Sequence, residues 1–159
     1  MKRSSSVNIQ LAWQTIADSS KGTDWMKSVE LLPKPAVYRF TRYTDGVAKK
    51  VYIGQSSNVR ERFGKYRREC KKPGGFKRKV WEQEARIAGF IERSEEVHFE
   101  IIDETQGLIL DGASFELGNE FARLAIENLA ILEAEILGLL VANKNQEVKK
   151  LAKKLRELV

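Results

Sequence analysis

Apolar and polar positions along the chain change period several times, and each change marks an element. Val7, Leu11, Ala12 and Ile16 have helical spacing after Ser4–Ser6, so residues 7–18 are expected to form a short helix. Ser19-Ser20-Lys21-Gly22 breaks it, and Thr23 or Asp24 could cap a second short helix through Trp25, Met26, Val29 and Leu32, stopped by Pro33 and Pro35. The character then shifts to β-branched and aromatic residues. Val37 to Tyr43 and Val51 to Gly54 read as strands, and Asp45-Gly46 between them is a strong hairpin signal. Ser56, Ser57 and Asn58 can cap a helix that begins Val59-Arg60-Glu61-Arg62-Phe63 and ends by Pro73-Gly74-Gly75. Phe76–Ile91 predicts another helix, and Glu96–Asp103 a third strand whose apolar residues run together at its end.

Gly107–Gly118 reads as loop. From about Asn119 to Val141, Phe121, Leu124, Ala125, Leu129, Leu132, Ile136 and Leu140 lie on one broad face of a long helix. A final helix over roughly 146–158 carries a stripe of Val148, Leu151, Leu155 and Leu158 opposite its lysines. The expected fold is α/β: a small, mostly antiparallel three-stranded sheet flanked by helices, with helical additions at both ends. A parallel βαβ unit is disfavoured at the first two strands, because their connection is too short for a crossover. The boundaries that follow are a helical extension at 1–33, a domain at 34–145 with an inserted middle at about 70–118, and a basic amphipathic helix at 146–159.

Composition narrows the function classes. The 159 residues include 42% hydrophobic and 31% charged positions, enough for a core under a heavily solvated surface. No run approaches the roughly 18 apolar residues that span a bilayer, and no apolar run follows the basic start at Met1-Lys2-Arg3. A cytoplasmic protein is expected. The single cysteine, Cys70, and single histidine, His98, exclude an internal disulfide and a zinc cage and read as structural. Net charge is +6, which suits a polyanionic partner. The charge is concentrated: Arg60, Arg62, Lys65, Arg67, Arg68, Lys71 and Lys72, then Lys77, Arg78 and Lys79, face only Glu61 and Glu69 over the same stretch. Lys149, Lys150, Lys153, Lys154 and Arg156 form a second cluster.

Two tyrosine-bearing strands joined by a short turn and followed by a basic helix resemble the GIY-YIG nuclease superfamily. The residues that carry the resemblance are Ala36-Val37-Tyr38 and Tyr52-Ile53-Gly54, with the tyrosines fourteen positions apart. Arg62 stands ten positions after Tyr52, where family members carry an arginine, and Tyr66 follows one helical turn later. The family's metal-binding glutamate in a Leu-Glu-x-x-Leu/Ile setting is matched by Leu132-Glu133-Ala134-Glu135-Ile136, and its later asparagine by Asn145, with Asn143 a near alternative. Spacing is closest to the nuclease domain of the excision-repair incision subunit and to homing-endonuclease catalytic domains. Ala36 departs from the family's glycine and Gln55 from a common lysine.

The resemblance implies a Mg²⁺- or Mn²⁺-dependent endonuclease that hydrolyses phosphodiester bonds in DNA. Tyr38, Tyr52, Arg62, Tyr66 and Glu133 would form its site, with Tyr38 favoured as general base and Glu133 as metal ligand. Arg60, Lys65, Arg67, Arg68, Lys71, Lys72, Lys77, Arg78, Lys79 and Asn145 would contact nucleic acid. The residue types suit the chemistry: guanidinium matches phosphate oxygens in two-pronged fashion, and Mg²⁺ needs only one or two carboxylates. A tyrosine serves as base only when a cation or metal lowers its pKa from about 10. Glu127 and Glu135, six and two positions from Glu133, are not expected to join it on one helix face. Two other readings stay open: a non-cleaving DNA-binding or regulatory module, and a nuclease acting on RNA or branched DNA. The Val148–Leu158 stripe also offers a homodimer surface.

Overall fold

The computed structural model describes residues 11–22, 24–70, 83–102, 109–110, 113–114, 116–143 and 146–157. It is a mixed α/β protein built on a five-stranded sheet. The hairpin forms as its sequence predicts. Strand β2 (Ala36–Thr44) and strand β3 (Val47–Ser56) pair antiparallel around a turn in which Asp45 has φ 51° and Gly46 φ 72°. Two successive positive φ angles give the turn whose twist matches that of the strands, which is why Asp-Gly stands there. Opposite residues include Tyr38 with Gly54 and Phe40 with Tyr52.

The sheet is wider than the expected three strands. Residues 14–18, expected as helix, form strand β1 (Gln14–Asp18), which pairs antiparallel with β4 (Glu96–Ile102). Helical spacing and a short edge strand are both compatible with so few apolar residues, and pairing with β4 decides for the strand. Residues 1–10 of the expected extension lie outside the described residues. The second short helix shrinks to a single 3-10 turn at Trp25–Ser28. Strand β4 in turn pairs with β2, with Phe40 opposite Phe99 and Arg39 opposite Glu100. Within the expected loop, β5 (Ile109–Leu110) and β6 (Ala113–Ser114) form a separate two-residue ladder. The fifth strand of the main sheet, β7 (Leu140–Val141), lies parallel to β3 at Lys50 and Val51. The order is β1-β4-β2-β3-β7.

Helix α1 (Val59–Cys70) begins where Asn58 accepts the Glu61 amide at 3.1 Å. Helix α2 (Gln83–Glu92) packs beside it. Helix α3 (Glu120–Ile136) is capped by Asn119, which accepts the amides of Phe121 and Ala122. Its apolar pattern continues to Val141, but Gly138 (φ 80°) turns the chain earlier, with Leu139 N–H donating to Ala134 and Gly138 N–H to Glu135. This double closure by a left-handed glycine frees the next apolar residues to form β7. Helix α4 (Gln146–Glu157) follows and packs on α3.

Alternation along the strands divides the core in two. Ala36, Tyr38, Phe40, Tyr52, Phe99 and Ile101 meet α1 and α2 on one face. Val37, Val51, Ile53 and Ile102 meet α3 and β7 on the other. No described helix is long and apolar enough to cross a membrane.

Candidate active site

Four of the five expected site residues converge on the α1 face. Tyr38 comes from β2, Tyr52 from β3, and Arg62 and Tyr66 from α1, one turn apart on its surface. The hydroxyls of Tyr38 and Tyr66 lie 2.6 Å apart, a hydrogen bond across elements 28 residues apart in sequence. Ring centroids of Tyr38 stand 6.4 Å from Tyr52 and 6.1 Å from Tyr66. The glycine of Tyr52-Ile53-Gly54 has a specific reason to be there. A Cβ built on Gly54 would stand 2.5 Å from the Tyr38 hydroxyl oxygen, so the ring of Tyr38 occupies the space a side chain would need.

The tyrosines are sealed. Tyr38 is 2% exposed, Tyr52 3% and Tyr66 0%. Burial is the largest influence raising the Tyr38 pKa well above its ordinary value; Tyr66 and Tyr52 add to it, and Arg62 opposes it. Burial likewise raises Tyr66, with Arg62 again pulling down. Both phenols are therefore neutral at ordinary pH, and one hydroxyl accepts the other's hydrogen bond. Service as a general base requires a cation that brings the pKa down again.

Glu133 does not join them. It lies near the end of α3, where its carbonyl accepts the Leu137 amide, and its carboxyl pKa is raised by burial and lowered by Arg39. Arg39 neighbours Tyr38 in sequence and so points to the other face of β2. There its Nε and a terminal nitrogen donate to Glu100 at 2.5 and 3.0 Å, and its guanidinium lies 4.2 Å from the Trp13 ring centroid. The sheet thus stands between Glu133 and the tyrosines. Strand alternation puts Arg39, and with it Glu133, opposite the residues with which sequence spacing groups that glutamate.

Glu127, which helical spacing separates from Glu133, rises from the same helix on the same side of the sheet, but nearer the end of β3. It sits one turn after Arg123, whose Nε donates to Gln55 at 2.8 Å while a terminal nitrogen reaches the carbonyls of Leu117 and Gly118. Gln55 directly follows Gly54, at the end of β3 from which α1 departs. Glu133 lies six residues further along α3, about 9 Å at 1.5 Å per residue. Burial without a compensating cation raises the Glu127 pKa from 4.5 to about 7. The signal available in the sequence is Ile126-Glu127-Asn128-Leu129 one turn beyond Arg123; what the sequence lacks is the Arg123–Gln55 contact.

Asn145, Lys71, Lys72, Lys77, Arg78 and Lys79 lie outside the described residues. Asn143, the alternative to Asn145, is buried and binds Ile53 twice: its Oδ1 accepts the Ile53 amide at 2.9 Å and its Nδ2 donates to the Ile53 carbonyl at 2.5 Å. Arg60 and Arg68 are on the surface of α1, while Arg67 and Lys65 are partly covered and Lys65 pairs with Glu61 at 3.2 Å. Among the described residues, no three histidine, cysteine, aspartate or glutamate side chains cluster as metal ligands. A hard cation that keeps its waters needs only one or two carboxylates, and Glu127 is a half-buried carboxylate that could serve as one. The chain matches no protein-family model, no curated protein and no solved structure.

Proposed function

We propose that this protein is a metal-dependent endonuclease that cleaves DNA, built as a GIY-YIG-like nuclease. The observation that carries the reading is the convergence of Tyr38, Tyr52, Tyr66 and Arg62 from three elements over Gly54, where no side chain fits beneath Tyr38. In this reading Arg62 binds the scissile phosphate through its planar fork. Tyr38 and Tyr66, neutral and hydrogen-bonded to each other, fix the packing under that arginine and transfer no proton. Glu127 takes the metal-ligand role that the resemblance assigns to Glu133. Mg²⁺ or Mn²⁺ bound there supplies Lewis acidity and an acidified water. Asn143 holds the tyrosine-bearing strand β3 in register.

A second reading has its own support. The sealed tyrosines and the separation of Glu133 from them favour a DNA-binding module that does not cut.

Supercoiled plasmid incubated with Mg²⁺ or Mn²⁺ separates the two. Wild type is expected to nick or linearise it only with metal, with Arg62→Ala losing about 10²–10³ in rate. Glu127→Gln should lose cleavage and Glu133→Gln should keep it. Binding without cleavage of plasmid, single strands or branched substrates, with either metal, gives the second reading instead.

A further inference from the structure

Helix α1 carries cations on two separate flanks, and only one belongs to the tyrosine cluster. Arg60, Gly64 and Arg67 recur at intervals of four and three, so they share one flank. Arg62 is about 200° round the helix from Arg60, on the other side of the core-facing residues Val59, Phe63 and Tyr66. The Arg60 flank borders a groove of about 590 Å³ whose opposite wall is the segment 27–32, including Lys27, Leu31 and Leu32. Gly64 has no side chain to fill the groove between the two arginines, and Leu32 is 65% exposed at its wall.

The groove is cationic with little to neutralise it. Neither Arg60 nor Arg67 forms a hydrogen bond or ion pair with another described residue. Lys27 is bound to Asp24 at 2.7 Å, both largely exposed, and Glu30 is the one carboxylate in the lining. Arg60 and Arg67 are seven residues apart, about 10 Å along the helix, the length of about three 3.4 Å rises measured along a duplex axis. Two unpaired guanidiniums at that spacing match a strand of phosphates, and the apolar wall of Leu31 and Leu32 can lie against the sugars between them.

We infer that the groove between α1 and residues 27–32 is an anchoring track for the phosphodiester backbone of nucleic acid, separate from the Arg62 site and holding the strand beside it. The inference rests on the nucleic-acid partner of the proposed function but not on cleavage. Phosphate contacts position a duplex without reading its sequence, so the track sets affinity and orientation rather than base preference.

The test is fluorescence anisotropy of a labelled DNA duplex with full-length protein in EDTA, where nothing can be cut, over a range of salt. Arg60→Ala/Arg67→Ala should weaken binding at least about ten-fold and flatten the log Kd–log salt slope by about 1.8, or about 0.9 for each phosphate no longer neutralised. Leu32→Glu, at an exposed wall position, should weaken binding while leaving the melting temperature unchanged. Lys49→Ala/Lys153→Ala removes the same charge from exposed positions elsewhere and should do markedly less. Equal weakening in both double variants, or binding unaffected by Arg60→Ala/Arg67→Ala and Leu32→Glu, overturns the track. A plasmid left uncut by wild type while the Arg60 and Arg67 effects persist overturns only the nuclease reading.

Discussion

The two faces of the sheet are held by different physics. Over α1 and α2 the packing is aromatic: Phe40 and Phe99 have centroids 4.9 Å apart, Phe63 and Phe99 4.6 Å, and Tyr38 lies over Gly54 within hydrogen-bond reach of Tyr66. Over α3 it is aliphatic, with Val37, Val51, Ile53, Ile126 and Ile131 packed together, and its polar fastening is the Arg39–Glu100 pair with Thr41. The aromatic face fixes shape, because large rings in a close-packed layer have no room to shift. The other face carries the carboxylates Glu100, Glu127 and Glu133, and its behaviour should depend on charge and pH. Arg62 faces the first and Glu127 rises from the second, so a site using both would sit where the faces meet, at the end of β3.

Three changes break or sharpen that contrast. Glu100→Ala should have the largest effect, because it leaves the Arg39 guanidinium largely buried without its carboxylate. A drop of about 3–5 kcal/mol in urea-unfolding free energy is expected, and a smaller drop than that of any aromatic-face variant would show that the pair does not fasten the aliphatic face. Gly54→Ala comes next. The added methyl collides with the Tyr38 hydroxyl, and overpacking of this kind costs about 1–3 kcal/mol. Near-ultraviolet circular dichroism should report displaced tyrosines, whereas an unchanged spectrum and stability would mean that the ring moves freely. Glu127→Gln has the smallest effect and the sharpest signature. With the folded pKa about 7 against 4.5 for the ordinary carboxyl, the folded state retains a proton that the unfolded chain releases between those values. Wild-type stability therefore falls relative to the variant as pH rises through this window, and the difference is constant above it. The variant should match wild type near pH 4 and melt roughly 2–4 °C higher above pH 7, a shift already discounted for partial exposure. A pH-independent difference would remove burial as the cause.

Local chemistry makes the hairpin, α1, β4 and α4 legible in the sequence: Asp45-Gly46 supplies the turn, Asn58 the cap, and Val97 to Ile102 the strand. The tyrosines and Arg62 are legible for the same reason, since they belong to adjoining elements whose spacing is set locally. The elements that spacing misses depend on distant partners. Strand β1 exists through pairing Gln14 with Ile101, and β7 through pairing Leu140 with Lys50. Gly138 is the one local sign that α3 ends early. The choice between Glu127 and Glu133 is beyond spacing altogether, because a helix sequence does not say which face of a sheet it will cover or which of its turns will meet Gln55.

Asn143 gives the sheet a boundary as well as a register. A strand at the rim of a sheet presents bare amide and carbonyl groups that can recruit another chain. At Ile53 those two groups are taken by one side-chain amide, which offers an acceptor and a donor as a neighbouring peptide unit would. The Ala142 amide occupies the Val51 carbonyl two residues earlier. A stretch of the rim is thus already answered from within the chain, and a foreign strand approaching there finds no ladder to extend. The same asparagine that steadies β3 also discourages edge-to-edge aggregation.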